Sequence, residues 1–456
     1  MQAVWAIVLI SMRNAVRSKI VLVLLFFLLL TLIGLPLTVR GDGTLSGHVQ
    51  LLLRYTLGLA LLILSLATVW ASCAAVSSDI RDRQIQLVIS KPVRAVQVWL
   101  GQWLGVSLLN GGLWVLCILV TYGALRWTTR PAMLSAEDQE TLATEILVAQ
   151  RRVTPRARDL QAEVAREYQA ARARGEWPPE TPTSQIWPVI ERHVSARANA
   201  VAPGGQNRWV FQLPRRVPPD RSLILRYRFA VSVLDMGAIG GIWRAGPPND
   251  PRRFRESVRV APLAWHSIAI PPEWVAADST LTVEFANVHE RPLMVLFDPD
   301  NDLRLMVYEG GFLANLMRAG LSLLFHLAFL SAIGITAGTF FSIPVAALTS
   351  FYLLLLLNAG RFVRRLATRE VSLADTTDAG MLEQVVAAVT QGIYRILDIV
   401  IRPVYAENPL DFIAVGEWIG WGEVGYQFVV KIGLYGTILL GLGVWHLARK
   451  EVALPA

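Results

Sequence analysis

Hydrophobic and polar positions along this chain separate into long apolar runs at its two ends and a polar middle. A helix needs about 20 mostly apolar residues to cross a bilayer. Six segments meet or approach that length: 20–38, 51–76, 98–125, 311–333, 341–357 and 428–447. The pattern predicts a helix for each. Before the first run, residues 2–17 set Trp5, Ile7, Val8, Leu9 and Met12 against Arg13, Asn14 and Arg17, as expected of a helix lying in the membrane interface. Near the other end, 382–404 carries Leu382, Val385, Val386, Val389, Ile393, Ile396, Leu397 and Val400 at helical spacing among polar residues. This predicts an interfacial or re-entrant helix, and 408–427 reads as a second partly inserted piece.

The middle changes character twice. Residues 135–200 are rich in Ala, Glu, Arg and Gln and predict helices, broken at Pro155 and at the proline-rich stretch 177–182. From 207 to 308 the period becomes two: Leu223, Leu225, Tyr227 and Phe229 alternate with Ile224, Arg226, Arg228 and Ala230. With the runs 267–271 and 281–285, separated by Pro, Gly and Asn/Asp clusters, this predicts a β-sandwich.

Composition agrees with the membrane reading. The chain of 456 residues is 54% hydrophobic and 17% charged, a balance that soluble domains seldom reach. Its net charge of +8 therefore points to cytoplasmic loops and anionic lipid rather than to nucleic acid. Cys73 and Cys117 both lie in apolar runs and read as small buried hydrophobes. No small-x-small cleavage site follows the first run, so it is expected to remain as an uncleaved span.

Basic residues in short loops orient the spans. Arg13, Arg17 and Lys19 place the N-terminus in the cytoplasm, and Arg81, Arg83, Lys91 and Arg94 place 77–97 there too. Residues 126–308 are then extracytoplasmic, 336–339 form a tight cytoplasmic turn, and Arg449 and Lys450 end the chain inside. Arg361, Arg364, Arg365 and Arg369 oppose this layout. If the fourth and fifth segments do not both cross, 359–427 is cytoplasmic and the C-terminus outside.

Catalytic signatures are missing. The sequence has no P-loop, no G-x-S-x-G and no H-E-x-x-H, so it is not read as an enzyme. His326, inside the fourth span, either lines a path through the membrane or is a neutral histidine bonded to a neighbouring helix. Asn110, followed by Gly111 and Gly112, either lines the same path or admits close helix packing. Arg54 and Arg318 are expected to snorkel to headgroups. Asp298, Asp300 and Asp302 form a weak calcium-like cluster without the glycine and distal glutamate of an EF-hand; otherwise no metal site is expected.

The charged stretch between the second and third spans is the most patterned polar segment. It runs from Ser77 through Asp79, Arg81, Asp82 and Arg83 to Leu87-Val88-Ile89-Ser90-Lys91-Pro92-Val93-Arg94, followed by Gly101-Gln102-Trp103-Leu104-Gly105. It resembles the loop after the second span of ABC-2 type transporter permeases, with Gln102 where a lysine is frequent. Ser342-Ile343-Pro344-Val345-Ala346 and the basic end His446-Leu447-Ala448-Arg449-Lys450-Glu451 are similar to that family as well. The likeness covers about 1–125 and 310–456 and leaves out 126–308.

The resemblance implies an α-helical polytopic membrane protein of six transmembrane helices, like a type V ABC exporter, here with an extracytoplasmic α+β insert containing the sandwich. It implies a permease subunit in the cell (inner) membrane, paired with itself or a second permease and driven by a separate cytoplasmic ATPase. ATP and magnesium belong to that partner, and no cofactor to this chain. Asp79, Arg81, Asp82, Arg83, Lys91 and Pro92 are the expected coupling residues, and Asn110 and His326 the expected path. The exterior domain would bind a substrate, a partner or an envelope ligand. The rival reading is a membrane-anchored receptor or scaffold whose sandwich binds a carbohydrate or protein. An intramembrane transferase would need clustered acids or a His/Asp pair, which the sequence lacks.

Overall fold

The computed structural model describes residues 2–38, 45–81, 94–130, 135, 139, 142–178, 180–214, 217–218, 221–232, 237–248, 250–359, 381–401 and 408–449, with backbone alone at 46, 77–81, 143, 145, 184, 358, 381–385, 387–388, 391 and 400–401. The chain divides into two compact units, one formed by Met1–Ile146 with Gly311–Ala456 and the other by Leu147–Gly310.

The first unit opens with α1 (Gln2–Arg17), α2 (Lys19–Thr38), α3 (Leu45–Arg81) and α4 (Ala95–Thr128). The amphipathic α1 buries Val8, Ser11 and Ala15 and leaves Trp5, Leu9, Ile10 and Val16 exposed. Its seat is Gly101 and Gly105 of α4. A Cβ on Gly101 would lie 2.7 Å from the Ile7 side chain, and one on Gly105 would lie 2.8 Å from the Val8 carbonyl oxygen. Only hydrogen at these two positions lets the backbones approach so closely. The pair resembling a family motif is thus the floor of a groove for α1.

The second unit opens with β1 (Val148–Val153) and two helices, α5 (Gln161–Ala173) and α6 (Thr183–Asn199). The strands β2 (Ala200–Val201), β3 (Gln206–Gln212), β4 (Leu223–Tyr227), β5 (Ala230–Val231), β6 (Ile239–Ala245), β7 (Phe254–Val260), β8 (His266–Ile270), β9 (Thr280–Asn287), β10 (Val295–Leu296) and β11 (Leu303–Gly311) follow. They form two four-stranded sheets, β1-β11-β4-β8 and β3-β9-β6-β7, and a small sheet β2-β10-β5. Trp209, Phe211, Trp243, Val283 and Phe285 of one large sheet meet Leu223, Leu225, Tyr227, Leu303 and Leu305 of the other in a single core. Burial alternates along β3, β7 and β8, whereas β4 buries Leu223, Ile224 and Leu225 in succession, so the period of two accounts for part of the sandwich. The first strand departs from the helical expectation for 135–200. Val148–Val153 is Arg- and Gln-containing, yet it is drawn into the sheet by β11, where Arg151 meets Glu309 at 2.8 Å.

The first unit resumes with α7 (Phe312–Phe340), α8 (Ile343–Asn358), α9 (Met381–Ile401), α10 (Pro409–Ala414), α11 (Trp421–Phe428), a π-helical stretch (Val429–Gly436) and α12 (Thr437–Arg449). Among the described residues five helices are long and apolar enough to cross a membrane: Lys19–Thr38, Gly47–Val76, Ala95–Thr128, Phe312–Phe340 and Trp421–Arg449. This is the make-up of a multi-pass membrane protein. The segment expected at 341–357 is a shorter apolar helix, Ile343–Leu357. Its 16 residues in α8 reach about 24 Å at 1.5 Å per residue, short of a hydrocarbon core of about 30 Å.

The helix α7 is the axle of this unit. Within its apolar window 78% of residues are buried by the protein itself, against 17% for the last span. Three tryptophans of α4 donate their indole N–H groups to it: Trp99 to Thr336 Oγ1 at 3.3 Å, Trp103 to the Ala328 carbonyl at 2.8 Å and Trp114 to the Gly320 carbonyl at 2.9 Å. The turn expected at 336–339 is helix instead. Thr336 bonds the Leu439 carbonyl of α12 and Thr339 the Thr336 carbonyl, so both hydroxyls are satisfied without leaving the helix. The chain turns at Phe341 and Ser342, and Pro344 fits the first turn of α8. Cys73 and Cys117 are free and buried, with Cys73 Sγ 3.6 Å from Ser350 Oγ.

Candidate functional site: a polar seam in the helical unit

Polar residues of α7 and of the segment from α10 through the π-helical stretch form one seam. Asn408 caps α10, its side chain accepting from the Leu410 N–H at 3.2 Å. The backbone leaves α10 through Gly416, whose φ of 72° is the left-handed conformation favoured by glycine at helix ends. The segment that follows is stitched to α7 by two side chains. Asn315, fully buried, donates to the Glu417 carbonyl at 2.7 Å and accepts from the Ile419 N–H at 2.8 Å. Arg318 donates to the Ile419 carbonyl at 2.8 Å, with its guanidinium 5.8 Å from the rings of both Trp418 and Trp421. Arg54 of α3 pairs with Asp411 of α10 at 2.7 Å. The two arginines expected to snorkel to headgroups therefore serve internal partners.

Further along the last span, Glu423, Gln427 and Lys431 recur every four residues, a spacing that stacks them on one helix face. Gln427 donates to Glu423 Oε1 at 2.9 Å. Lys431 is 5% exposed and sits in the π-helical stretch. It has no hydrogen bond or ion pair among the described residues. It lies near enough to His326 of α7 for their charges to interact, and Glu423 also acts on it through space. His326 has no hydrogen bond among the described residues, so a bond to a neighbouring helix does not explain it.

The chemistry of the seam follows from these facts. An amine enclosed in an apolar span is costly unless something anionic meets it. Among the described residues the one acid acting on it, Glu423, is two turns away and shares its carboxylate with Gln427. π-helical turns recur at functional sites because they re-aim side chains at a cost in helix stability. Lys431 escaped the sequence reading, although a lone lysine inside a 29-residue apolar helix is a readable signal.

Other expected residues fare differently. Asn110 is buried and donates to the Val106 carbonyl of its own helix at 3.1 Å, a packing role with Gly111 set against Leu324. Asp79 and Arg81 lie on the last turn of α3, while Asp82, Arg83, Lys91 and Pro92 fall outside the described residues. Gln102 donates to the Ala75 carbonyl at 3.2 Å, tying α4 to α3 two residues before the charged stretch begins. In the second unit, Asp302 accepts from Arg228 at 2.8 Å, and Asp298 accepts from the Asp300 N–H at 3.2 Å and from Asn301 at 2.8 Å. These oxygens close a turn, and among the described residues no cluster has the make-up of a metal site. No protein-family model matches the chain, and no curated protein matches it either.

Proposed function

We propose that this chain is the membrane subunit of an ABC-2 type exporter, moving a substrate across or out of the membrane with energy from a separate ATPase. The observation that carries the reading is the continuity of α3. Its 37 residues run without interruption from an apolar window ending at Val76 to Arg81 in the charged stretch. At 1.5 Å per residue that is about 55 Å, well beyond a hydrocarbon core of about 30 Å. A push on the charged end is then delivered to the span as a rigid lever. Asp79, Arg81, Asp82 and Arg83 are its contact residues, with Lys91 and Pro92 ending the segment.

In this reading α8 is the sixth span, seated where the bilayer thins, and α9 lies in the interface. Exposed Val386, Val389, Ile393, Ile396 and Ile399 give α9 the apolar face that such a position requires. The N- and C-termini are cytoplasmic, the insert is extracytoplasmic, and the chain works in the cell membrane as a homodimer or with a second permease. Lys431 and His326 line the path, and the Lys431 ammonium favours an anionic cargo. The chain hydrolyses nothing itself; ATP and magnesium are bound by the partner.

The test is purification in lipid together with the ATPase encoded beside it. A stable complex that hydrolyses ATP is expected, and failure of any ATPase to co-purify contradicts the reading. Cysteine labelling at positions 361 and 456 from either side reports the number of spans.

A further inference from the structure

The outer face of the sheet β3-β9-β6-β7 is basic in a way that the core packing does not require. The register sets Arg208 of β3 opposite Glu284 of β9, Glu284 opposite Arg244 of β6, and Arg244 opposite Arg255 of β7. Their sequence neighbours Trp209, Phe285, Trp243 and Phe254 turn to the core, so this row faces outward. Arg253 reaches the same carboxylate, and Arg259 extends the row along β7.

Glu284 is buried and serves as the internal counter-charge. Arg244 meets it at 2.7 Å, Arg253 at 3.2 Å and Arg208 at 3.6 Å. One carboxylate cannot neutralise five guanidiniums. Arg255 and Arg259 are exposed and have no partner among the described residues, and Arg208 is half exposed. Glu256, the neighbouring acid of β7, has the opposite parity and acts on Tyr227 at the core side. The face keeps a surplus of fixed positive charge.

We propose that this face binds an acidic polysaccharide. Three inter-strand spacings separate Arg208 from Arg255 by about 14 Å, and four residues separate Arg255 from Arg259 by about 14 Å. Two arms of that length on an open sheet fit an extended chain rather than a small anion. Guanidinium forks match carboxylate or sulfate groups in two-point fashion. Flanking the row lie Gln206 and Ser257 on one side and Thr282 on the other, neutral groups suited to sugar hydroxyls. The strand residues of this face include no aromatic side chain for base stacking, which disfavours single-stranded nucleic acid. They include no Trp, Phe or Leu to insert into lipid. The inference does not depend on coupling to an ATPase.

The experiment uses the full-length protein in nanodiscs of phosphatidylcholine, with polygalacturonate as probe and neutral dextran as control. Polygalacturonate is expected to bind and to weaken with added salt, while dextran does not bind. The double variant Arg255→Ser, Arg259→Ser should weaken binding about tenfold, since two exposed ionic contacts are lost, while its thermal unfolding is unchanged. Arg208→Ser, at the other end of the row, should weaken it as well, so one poorly folded variant does not decide the outcome. The proposal is overturned if polygalacturonate does not bind at low salt or if the variants bind it as wild type does. It is equally overturned if phosphatidylglycerol vesicles or single-stranded DNA bind the protein more tightly than polygalacturonate.

Discussion

Gly334 of α7 approaches Ser72 of α3 so closely that a Cβ on the glycine would lie 1.9 Å from the Ser72 Oγ and 3.3 Å from the Val69 carbonyl oxygen. Ser72 is fully buried and its hydroxyl is bonded to the Thr68 carbonyl at 2.6 Å, so it has little room to retreat. Gly334→Ala should therefore destabilise the helical unit by about 1–3 kcal/mol, the usual cost of overpacking. Thermal unfolding in detergent measures this. Adding Ser72→Gly should recover much of the loss, and absence of recovery would show that the strain lies elsewhere.

Asn315 holds the backbone at both Glu417 and Ile419. Asn315→Leu strands a buried carbonyl and a buried N–H, each costing about 1–3 kcal/mol. The expected result is a lower melting temperature and increased quenching of Trp418 fluorescence by acrylamide. Asn315→Asp keeps the acceptor toward Ile419 and loses the donor toward Glu417, so it should fall between the two.

Lys431 should show the opposite balance of stability and function. Lys431→Met removes a buried charge from an apolar span, so thermal stability should stay level or rise. If the proposed exporter reading holds, ATP hydrolysis by the complex with its ATPase should fall at least tenfold. Lys431→Arg, which keeps the charge, should retain more of it than the methionine variant. A variant that loses stability and keeps coupling would make Lys431 a structural residue.

Glu284 gives the β-rich unit a pH dependence. Burial raises its carboxyl pKa, but hydrogen bonds from Arg244 and Arg253 outweigh this and hold it below its ordinary value of 4.5. A depressed pKa means that its stabilisation is fully present above the ordinary value and is lost as pH falls through the depressed one. Acid unfolding of the wild type should therefore show a loss of stability below pH 4.5 that Glu284→Gln lacks. The glutamine variant should be less stable at neutral pH, because three arginines lose their shared counter-charge.

Long apolar runs and the period of two over 207–308 were legible in the sequence because each is a local property of the chain. The first strand was not: Val148–Val153 has no strand pattern and depends on β11, which lies some 150 residues later in sequence. The turn at 336–339 was misplaced because Gly338 looks like punctuation, whereas Thr336 and Thr339 find acceptors that keep the helix going. Gly101 and Gly105 were legible as a pair, but their partner α1 was not, since a groove specifies closeness and not identity. Lys431 was visible as a residue; that no acceptor meets its amine among the described residues is a tertiary fact. Of the proposed coupling residues, only Asp79 and Arg81, on the helical continuation of α3, fall within the described structure.

The most direct test of the account reads ATP hydrolysis of the co-purified complex in lipid while the end of α3 is reversed in charge by Asp79→Lys with Asp82→Lys. Loss of the ATPase from the complex, with this chain still folded by its melting temperature, is the predicted result. A complex that stays intact and hydrolyses ATP at the wild-type rate would contradict it.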